Sequence, residues 1–454
     1  MGTRPVLPGA ATSADVGVGL EPSTCTEKNY RGWPEPSLNI AVVGAGVSGL
    51  TCALGLSRQH QVTVFEAAGR PGGHAHTVDV RDGSSTIAID TGFIVFNFVH
   101  YPLLSALFDA LDVKSQSSDM SFGVRCDVTG FEFSGSNLNT FFAQRSSLMR
   151  PDAWRLLKDI VRFNRDGKQS LEAGLENHIT VGDFAKQHGY SDVFLDRYLL
   201  SLGGALWSCD TRTFRNFPMR FVLEFLRNHA MLQIGKRPVW RTVTGGSRHY
   251  VERIAQTLGS RLCLNRPVTQ ILRAGRGVKV CFDEGDSQTF DEVVLATHAD
   301  TSLALVAEVE EEERELLGTF PYQDNEVCLH TDTSVLPRTR RAWASWNYRI
   351  KEDAHLGTCV TYNMNKLQAL ESRQTFCVSL NQQEDLRSDA ILHKETVRHP
   401  LFVPGRDEAQ ARHAQMIRRR GLSYCGAYWG FGFHEDGVRS GALVCDAFGV
   451  ERPF

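Results

Sequence analysis

Asn39-Ile-Ala-Val-Val-Gly44-Ala-Gly46-Val-Ser48-Gly49-Leu-Thr-Cys-Ala-Leu54, followed closely by Gln61-Val-Thr-Val-Phe-Glu66, reads as a strand, a tight turn, a helix and a second strand ending in an acid. Ile40, Val42 and Val43 form the apolar run of a buried strand. Gly44 lets the chain turn sharply, Gly46 leaves room for a pyrophosphate to reach the backbone, and Gly49 lets the helix lie close to the sheet. The helix N-terminus, with Ser48 in its first turn, offers free N–H groups to phosphate. Glu66 lies roughly 20 residues on, where a carboxylate accepts hydrogen bonds from an adenosine ribose. The same carboxylate would repel a 2′-phosphate, so FAD or NAD is expected rather than NADP.

After Glu66 comes Ala67-Ala-Gly-Arg70-Pro-Gly72-Gly73-His74. A second glycine pair beyond the acid is not part of a simple NAD site. It resembles the longer fingerprint of the flavin-containing amine oxidase and phytoene desaturase superfamily. The resemblance implies that Arg70 and Gly73 line the FAD ribose and pyrophosphate, and a guanidinium fork suits phosphate oxygens. Where many amine oxidases carry arginine after the glycine pair, this chain has His74.

Three further segments resemble that superfamily. Asp90-Thr-Gly92-Phe93 is similar to an element that brings backbone close to the flavin. Pro267-Val268-Thr-Gln-Ile271, Val278-Lys-Val280 and the run from Asp291 to His298 resemble its returning strands, which implies that the backbone of Val268 meets adenine. Tyr424-Cys-Gly426 and Glu435-Asp-Gly437-Val438-Arg-Ser440-Gly441 resemble the closing motif. There a helix N-terminus faces the pyrimidine side of the flavin, which places Glu435, Gly437 and Val438 at the cofactor. Bound FAD is expected to be noncovalent, although Cys425 lies near the same motif.

The blocks Trp240-Arg-Thr-Val-Thr-Gly-Gly-Ser-Arg, Arg341-Ala-Trp-Ala-Ser-Trp-Asn-Tyr and Gly426-Ala-Tyr-Trp-Gly-Phe-Gly-Phe-His434 resemble one subgroup more closely. These are the FAD-dependent oxidoreductases encoded beside cyclopropane-fatty-acid synthases, with polyunsaturated fatty acid isomerases as distant relatives. The resemblance implies chemistry on a fatty acyl chain, by desaturation or double-bond isomerisation. Two other readings stay open: an amine oxidase releasing imine and hydrogen peroxide, and a catalytically silent flavoprotein that partners a lipid-modifying methyltransferase. The lysine that amine oxidases usually hold near flavin N5 has no clear counterpart.

Bulk properties agree with a soluble enzyme. The chain has 454 residues and a formal net charge of -3, which gives no basic footprint for nucleic acid. No apolar run is long enough for a transmembrane helix. The 11 cysteines are scattered without a C-x-x-C pair. They read as reduced thiols of a cytoplasmic protein, and no metal site is expected from them.

The expected fold is α/β: a Rossmann-like FAD-binding domain with a discontinuous α+β substrate domain. Residues 1–38, rich in Pro and Gly and without apolar periodicity, read as a disordered leader. Residues 39–110, 240–300 and 415–454 carry the cofactor motifs and form the FAD-binding domain. Residues 111–239 and 301–414 form the substrate domain. Within it, strands are expected near residues 120–124 and 131–133 and a helix from Asp152. A capped helix starts at Thr180, and another helix spans residues 217–232. The acidic run Glu308-Val-Glu310-Glu-Glu-Glu313 and the basic run Arg418 to Arg420 read as solvated surface, the latter with a weaker reading as a contact for lipid head groups at a membrane surface.

Flavin itself carries a hydride step. The candidate catalytic zone is therefore the loop Tyr428-Trp429-Gly430-Phe431-Gly432-Phe433-His434, whose aromatics can wall a flavin and an acyl chain. His434 is the candidate catalytic residue, as a proton shuttle at neutral pH, against a bland reading as a loop-bracing ring.

Overall fold

The computed structural model describes residues 37–232, 238–352 and 358–454, so nearly all of the expected leader lies outside the described residues. Five parallel strands form one sheet in the order Leu422–Tyr424, Glu292–Leu295, Asn39–Val43, Gln61–Phe65, Leu262–Cys263. The glycine-turn strand is central, and four of its five residues are buried. Burial on both faces is why its sequence runs apolar without alternation. Residues far apart in sequence build this sheet, and its parallel pairing with mixed helices and strands makes the fold α/β.

The helix Val47–Leu56 rises from the turn and is buried along its whole length. Its cover is the C-terminal helix His434–Ala447. The approach depends on glycines. A Cβ on Gly437 would stand 2.6 Å from Val47 Cγ1, and one on Gly441 would stand 2.5 Å from the Ser48 carbonyl oxygen. The turn itself is equally tight: a Cβ on Gly49 would lie 2.0 Å from the Gly44 carbonyl oxygen.

A second, seven-stranded sheet runs in the order Ile391–Pro400, Tyr322–His330, Cys377–Leu380, Val360–Asn363, Trp346–Ile350, Phe122–Cys126, Glu132–Ser134. Its pairs are antiparallel except that of Trp346–Ile350 with Phe122–Cys126. Helices Pro151–Glu172, Val181–Gln187 and Met219–Asn228 share a core with it. The Thr180 start is a reciprocal cap. The Thr180 hydroxyl accepts from Asp183 N–H at 3.0 Å, and the Asp183 carboxylate accepts from the Thr180 hydroxyl at 2.6 Å.

One surface reading is corrected. The acidic run forms the helix Glu311–Gly318, but Glu313 within it has no exposed surface. Its carboxylate pairs with Arg273 and accepts from the Tyr424 hydroxyl at 2.8 Å. A helix turns one position in each few toward the core, and Arg273 arrives from a distant strand to neutralise it. The basic run is paired too. Arg419 meets Glu310 at 2.7 Å, Arg420 meets the same carboxylate, and Arg418 lies 3.5 Å from Glu292.

Candidate functional site

The glycine turn does three things at once. Gly44 takes φ +102°, which favours glycine, and a Cβ there would stand 2.9 Å from the Ala296 carbonyl oxygen. Gly46 caps the helix without any side-chain hydrogen bond, and no acid occupies the first turn. The leading N–H groups therefore remain free for an anion. A Cβ on Gly46 would meet nothing within 4 Å, so open space lies over the turn where a phosphate is expected.

Glu66 ends the second strand beside that turn. Its Oε2 accepts from Ala45 N–H at 2.8 Å and its Oε1 from Ala68 N–H at 2.9 Å. An ionised carboxylate has about four lone-pair sites, so both oxygens retain capacity for ribose hydroxyls. The second glycine pair docks on the first. Gly72 N–H donates to the Ala45 carbonyl at 2.8 Å, and Gly72 and Gly73 take positive φ. Arg70 is placed differently from the expectation. It donates to the Gly73 carbonyl at 3.0 Å, lies 3.6 Å from Glu395 and is not among the residues lining the cavity described next. It braces the glycine pair from outside.

One cavity of about 550 Å³ joins the glycine turn to the aromatic loop near the C-terminus. Gly44, Gly46, Ser48, Glu66, Gly73 and Val268 line one end. Thr91, Gly92, Phe93 and His74 also line the cavity, together with Gly426, Phe431, Phe433 and His434. Gly92 is where backbone meets backbone, since a Cβ there would fall 1.9 Å from the His74 carbonyl oxygen. Asp90 anchors this segment. Its buried carboxylate accepts from Thr77 Oγ1 at 2.6 Å and from Ser247 N–H and Oγ at 2.8 Å, and burial pushes its pKa up to about 6.

The cavity continues into a chamber walled by Met120, Trp207, Phe225, Trp346, Tyr362 and Phe402. Trp207 and Trp346 carry buried indole N–H groups with no hydrogen-bond partner among the described residues. Glu66, at the far end, is the sole Asp, Glu, Lys or Arg side chain among the described lining residues. The other titratable groups are tyrosines and histidines. Loss of water lowers the pKa of His229 and His298 to about 4 and of His399 to about 3, and lowers that of His74. Their rings gather: His74 lies 5.7 Å from His298 and 5.4 Å from His399 between centroids. Asn325 Nδ2 donates to His399 Nδ1 at 3.0 Å, and His74 Nε2 donates to the Arg398 carbonyl at 3.1 Å. At neutral pH this is a cluster of uncharged rings, and these bonds set the tautomers of His74 and His399.

His434 opens the C-terminal helix and lines the cavity. Its ring stacks on Phe93 with centroids 3.7 Å apart, and its Nε2 lies 3.1 Å from the Tyr250 hydroxyl. Desolvation first, and His74 second, lower its pKa to about 3. Burial thus favours the neutral ring at neutral pH. Glu435 points its carboxylate elsewhere: it accepts from Leu103 and Leu104 N–H at 3.2 and 3.0 Å, capping the helix Pro102–Ala110. Val438 is fully buried between helices, and Gly437 serves the helix contact described above. None of Glu435, Gly437 and Val438 lines the cavity. Asp436 Oδ2 accepts from Phe433 N–H at 3.1 Å, so the helix start carries its own acid.

The profile of the family described as flavin containing amine oxidoreductase matches residues 47–332. No curated protein matches by sequence. Solved structures match along most of their lengths. Cyclohexylamine oxidase from Brevibacterium oxydans IH-35A is 16% identical, covers 91% of this chain and 98% of its own, and superposes with a TM-score of 0.64. A CLA-producing fatty acid isomerase from P. acnes is 15% identical, with 90% and 99% covered and a TM-score of 0.63. Putrescine oxidase bound to putrescine is 14% identical, with 91% and 99% covered and a TM-score of 0.62. At such identities the likeness is one of fold.

Proposed function

This chain belongs to the flavin-containing amine oxidoreductase family and is an FAD-dependent oxidoreductase, and from that premise we propose that it acts on an apolar, unsaturated or modified acyl chain. The carrying observation is the charge of the chamber. Its lining offers aromatic and aliphatic side chains and uncharged imidazoles, and among the described lining residues the only carboxylate is that of Glu66 at the far end. An ammonium group placed there would be desolvated without a counter-charge, at several kcal/mol. An acyl chain carries no such cost, and its polar head would stay outside.

The residues present fit FAD. Glu66 and Val268 would hold the adenosine end. Gly44, Gly46, Ser48 and Gly73 would admit the pyrophosphate, with Gly49 setting the turn. The Thr91–Phe93 segment and the loop from Gly426 to His434 would enclose the ring system. When bound, FAD supplies the hydride acceptor. The chain's own part is to bind the substrate by apolar burial, exclude water with the Phe225, Phe402 and Phe431 wall, and orient the reacting C–H bond. His434 serves as a positioning residue that fixes Phe93 through their stack. A useful working division assigns residues 39–110, 240–300 and 415–454 to FAD and the rest of the described chain to substrate.

No helix among the described residues is long and apolar enough to cross a membrane. The ten described cysteines are all free thiols, which supports a reducing, cytoplasmic setting. The Arg418 to Arg420 run lies at the surface, where its side chains pair with Glu292 and Glu310.

The test is anaerobic. FAD-loaded protein is mixed separately with unsaturated fatty acyl lipids, putrescine and cyclohexylamine. Flavin absorbance is followed, and the recovered lipid is analysed for moved or added double bonds. Altered lipid with no bleaching by amines supports the proposal. Bleaching by an amine with unchanged lipid supports an amine oxidase instead. A flavin that no compound reduces, with unchanged lipid, supports a silent partner protein.

A further inference from the structure

We propose that His76, His393 and Glu395 bind one divalent transition-metal cation, with zinc as the natural probe, beside the cavity at the strand that carries Val397 and His399 into it. The three residues come from two segments. His76 precedes the strand Thr77–Asp82, while His393 and Glu395 sit two apart on the strand Ile391–Pro400 and so share a face. His76 Nδ1 lies 2.9 Å from Glu395 Oε1, and His393 Nε2 lies 3.8 Å from the same oxygen. All three ligand atoms fall within 4.8 Å of one another. Bonds of about 2.0–2.2 Å to a tetrahedral zinc need ligand atoms roughly 3.4 Å apart, which small side-chain motions reach.

Two more features point the same way. His393 Nε2 is buried and has no hydrogen-bond partner among the described residues, so an ion shared with Glu395 would satisfy it. The carboxylate is also held by two further groups, one of them the Thr91 hydroxyl, which lies 3.1 Å from His76 Nδ1. Thr91 Oγ1 donates to Oε1 at 2.7 Å, and Arg70 lies 3.6 Å from the opposite oxygen, Oε2. Outer partners of this kind orient a metal-binding carboxylate, and the guanidinium stands on the side away from the imidazoles. Arg70 is itself fastened to the Gly73 carbonyl, so it does not compete for the ligand face.

Two imidazoles and one carboxylate suit zinc with one open position, and they disfavour calcium and magnesium, which take oxygen ligands. The side chains of His76, Glu395 and His393 are 17%, 19% and 32% exposed, so a cation reaches them without opening the core. The ligand face continues along the strand into Val397 and His399, which line the cavity, and Thr91 lines it from the other segment. A bound cation would therefore tie the substrate wall to the turn that precedes Phe93. Its role is to fix that wall, and it needs no redox step.

The test uses tag-free, FAD-loaded full-length protein, stripped with chelator and dialysed against micromolar zinc. Metal analysis should find about one zinc per chain, with a raised thermal midpoint. His393→Ala, the most exposed ligand, should stay yellow and bind zinc at least about tenfold more weakly. Glu395→Gln should do the same, while His298→Ala in the cavity should bind as wild type. Wild-type protein that takes up no stoichiometric zinc overturns the proposal. So does a folded, yellow His393→Ala variant that binds zinc with unchanged affinity.

Discussion

A Cβ on Gly73 would stand 3.2 Å from the Cα of Gly46, so the two glycine elements face each other where the helix Val47–Leu56 begins. Neither glycine is there for the other alone. Between them they keep a strip of bare backbone open along the floor of the cavity.

Gly46→Val separates binding from folding. The φ of Gly46 is -74°, a value any residue adopts, and nothing lies within 4 Å of its Cβ position. The variant should fold and melt like the apo wild type, yet FAD affinity should fall by at least a hundredfold, about 3 kcal/mol. Titration of added FAD by fluorescence, beside circular dichroism, checks both halves.

Gly49→Val should behave in the opposite way. Its Cβ would lie 2.0 Å from the Gly44 carbonyl oxygen and 3.0 Å from Ala296 Cβ. Backbone cannot yield there, so the apo protein should lose about 3 kcal/mol or more. Chemical denaturation of the two apo variants, run side by side, distinguishes a binding glycine from a packing glycine.

Glu313→Ala tests the corrected surface reading. The substitution leaves Arg273 charged and mostly enclosed, and strands the Tyr424 hydroxyl under the sheet edge. Breaking such a pair costs about 3–5 kcal/mol. A truly solvated acid would cost under about 0.5 kcal/mol. Glu312→Ala, on the same helix but partly exposed, is the matched control in a denaturant titration.

Acid should destabilise the protein below the ordinary histidine pKa. His229, His330 and His413 are buried, and burial lowers each to about 4 from the usual 6.5. Between those values the unfolded chain binds protons that the folded chain does not, so stability falls as pH falls. At pH 5 each ring costs about 2 kcal/mol. Asp90 and Asp436, both raised to about 6 by burial, work in the other direction and offset part of the loss. Thermal midpoints from pH 7 to pH 5 should drop, and the drop should be smaller in His330→Asn.

The glycine turn was legible because its signal is local: strand, turn, helix and acid lie within one stretch of chain. The aromatic loop was legible for the same reason. The chamber was not. Trp207 sits on a helix, Trp346 and His399 on separate strands, and Phe402 in a connecting segment, and only the seven-stranded sheet brings them together. Singly, each reads as core. The capping of a neighbouring helix by Glu435 was not legible, because Leu103 and Leu104 lie more than 300 residues away in sequence. Nor was the enclosure of His434 beside Phe93, which favours its neutral ring. The Arg418 to Arg420 run is at the surface as read, but its acidic partners stand about a hundred residues away in sequence and were not legible.

The most direct measurement is a crystal structure of the protein loaded with FAD. The account expects adenine beside Glu66 and Val268, the pyrophosphate over Gly46 and Gly73, and the ring system against the Phe93–His434 stack, facing the Trp346 and Phe402 chamber. An adenine bound away from Glu66, or a ring system turned out of the cavity, would contradict it.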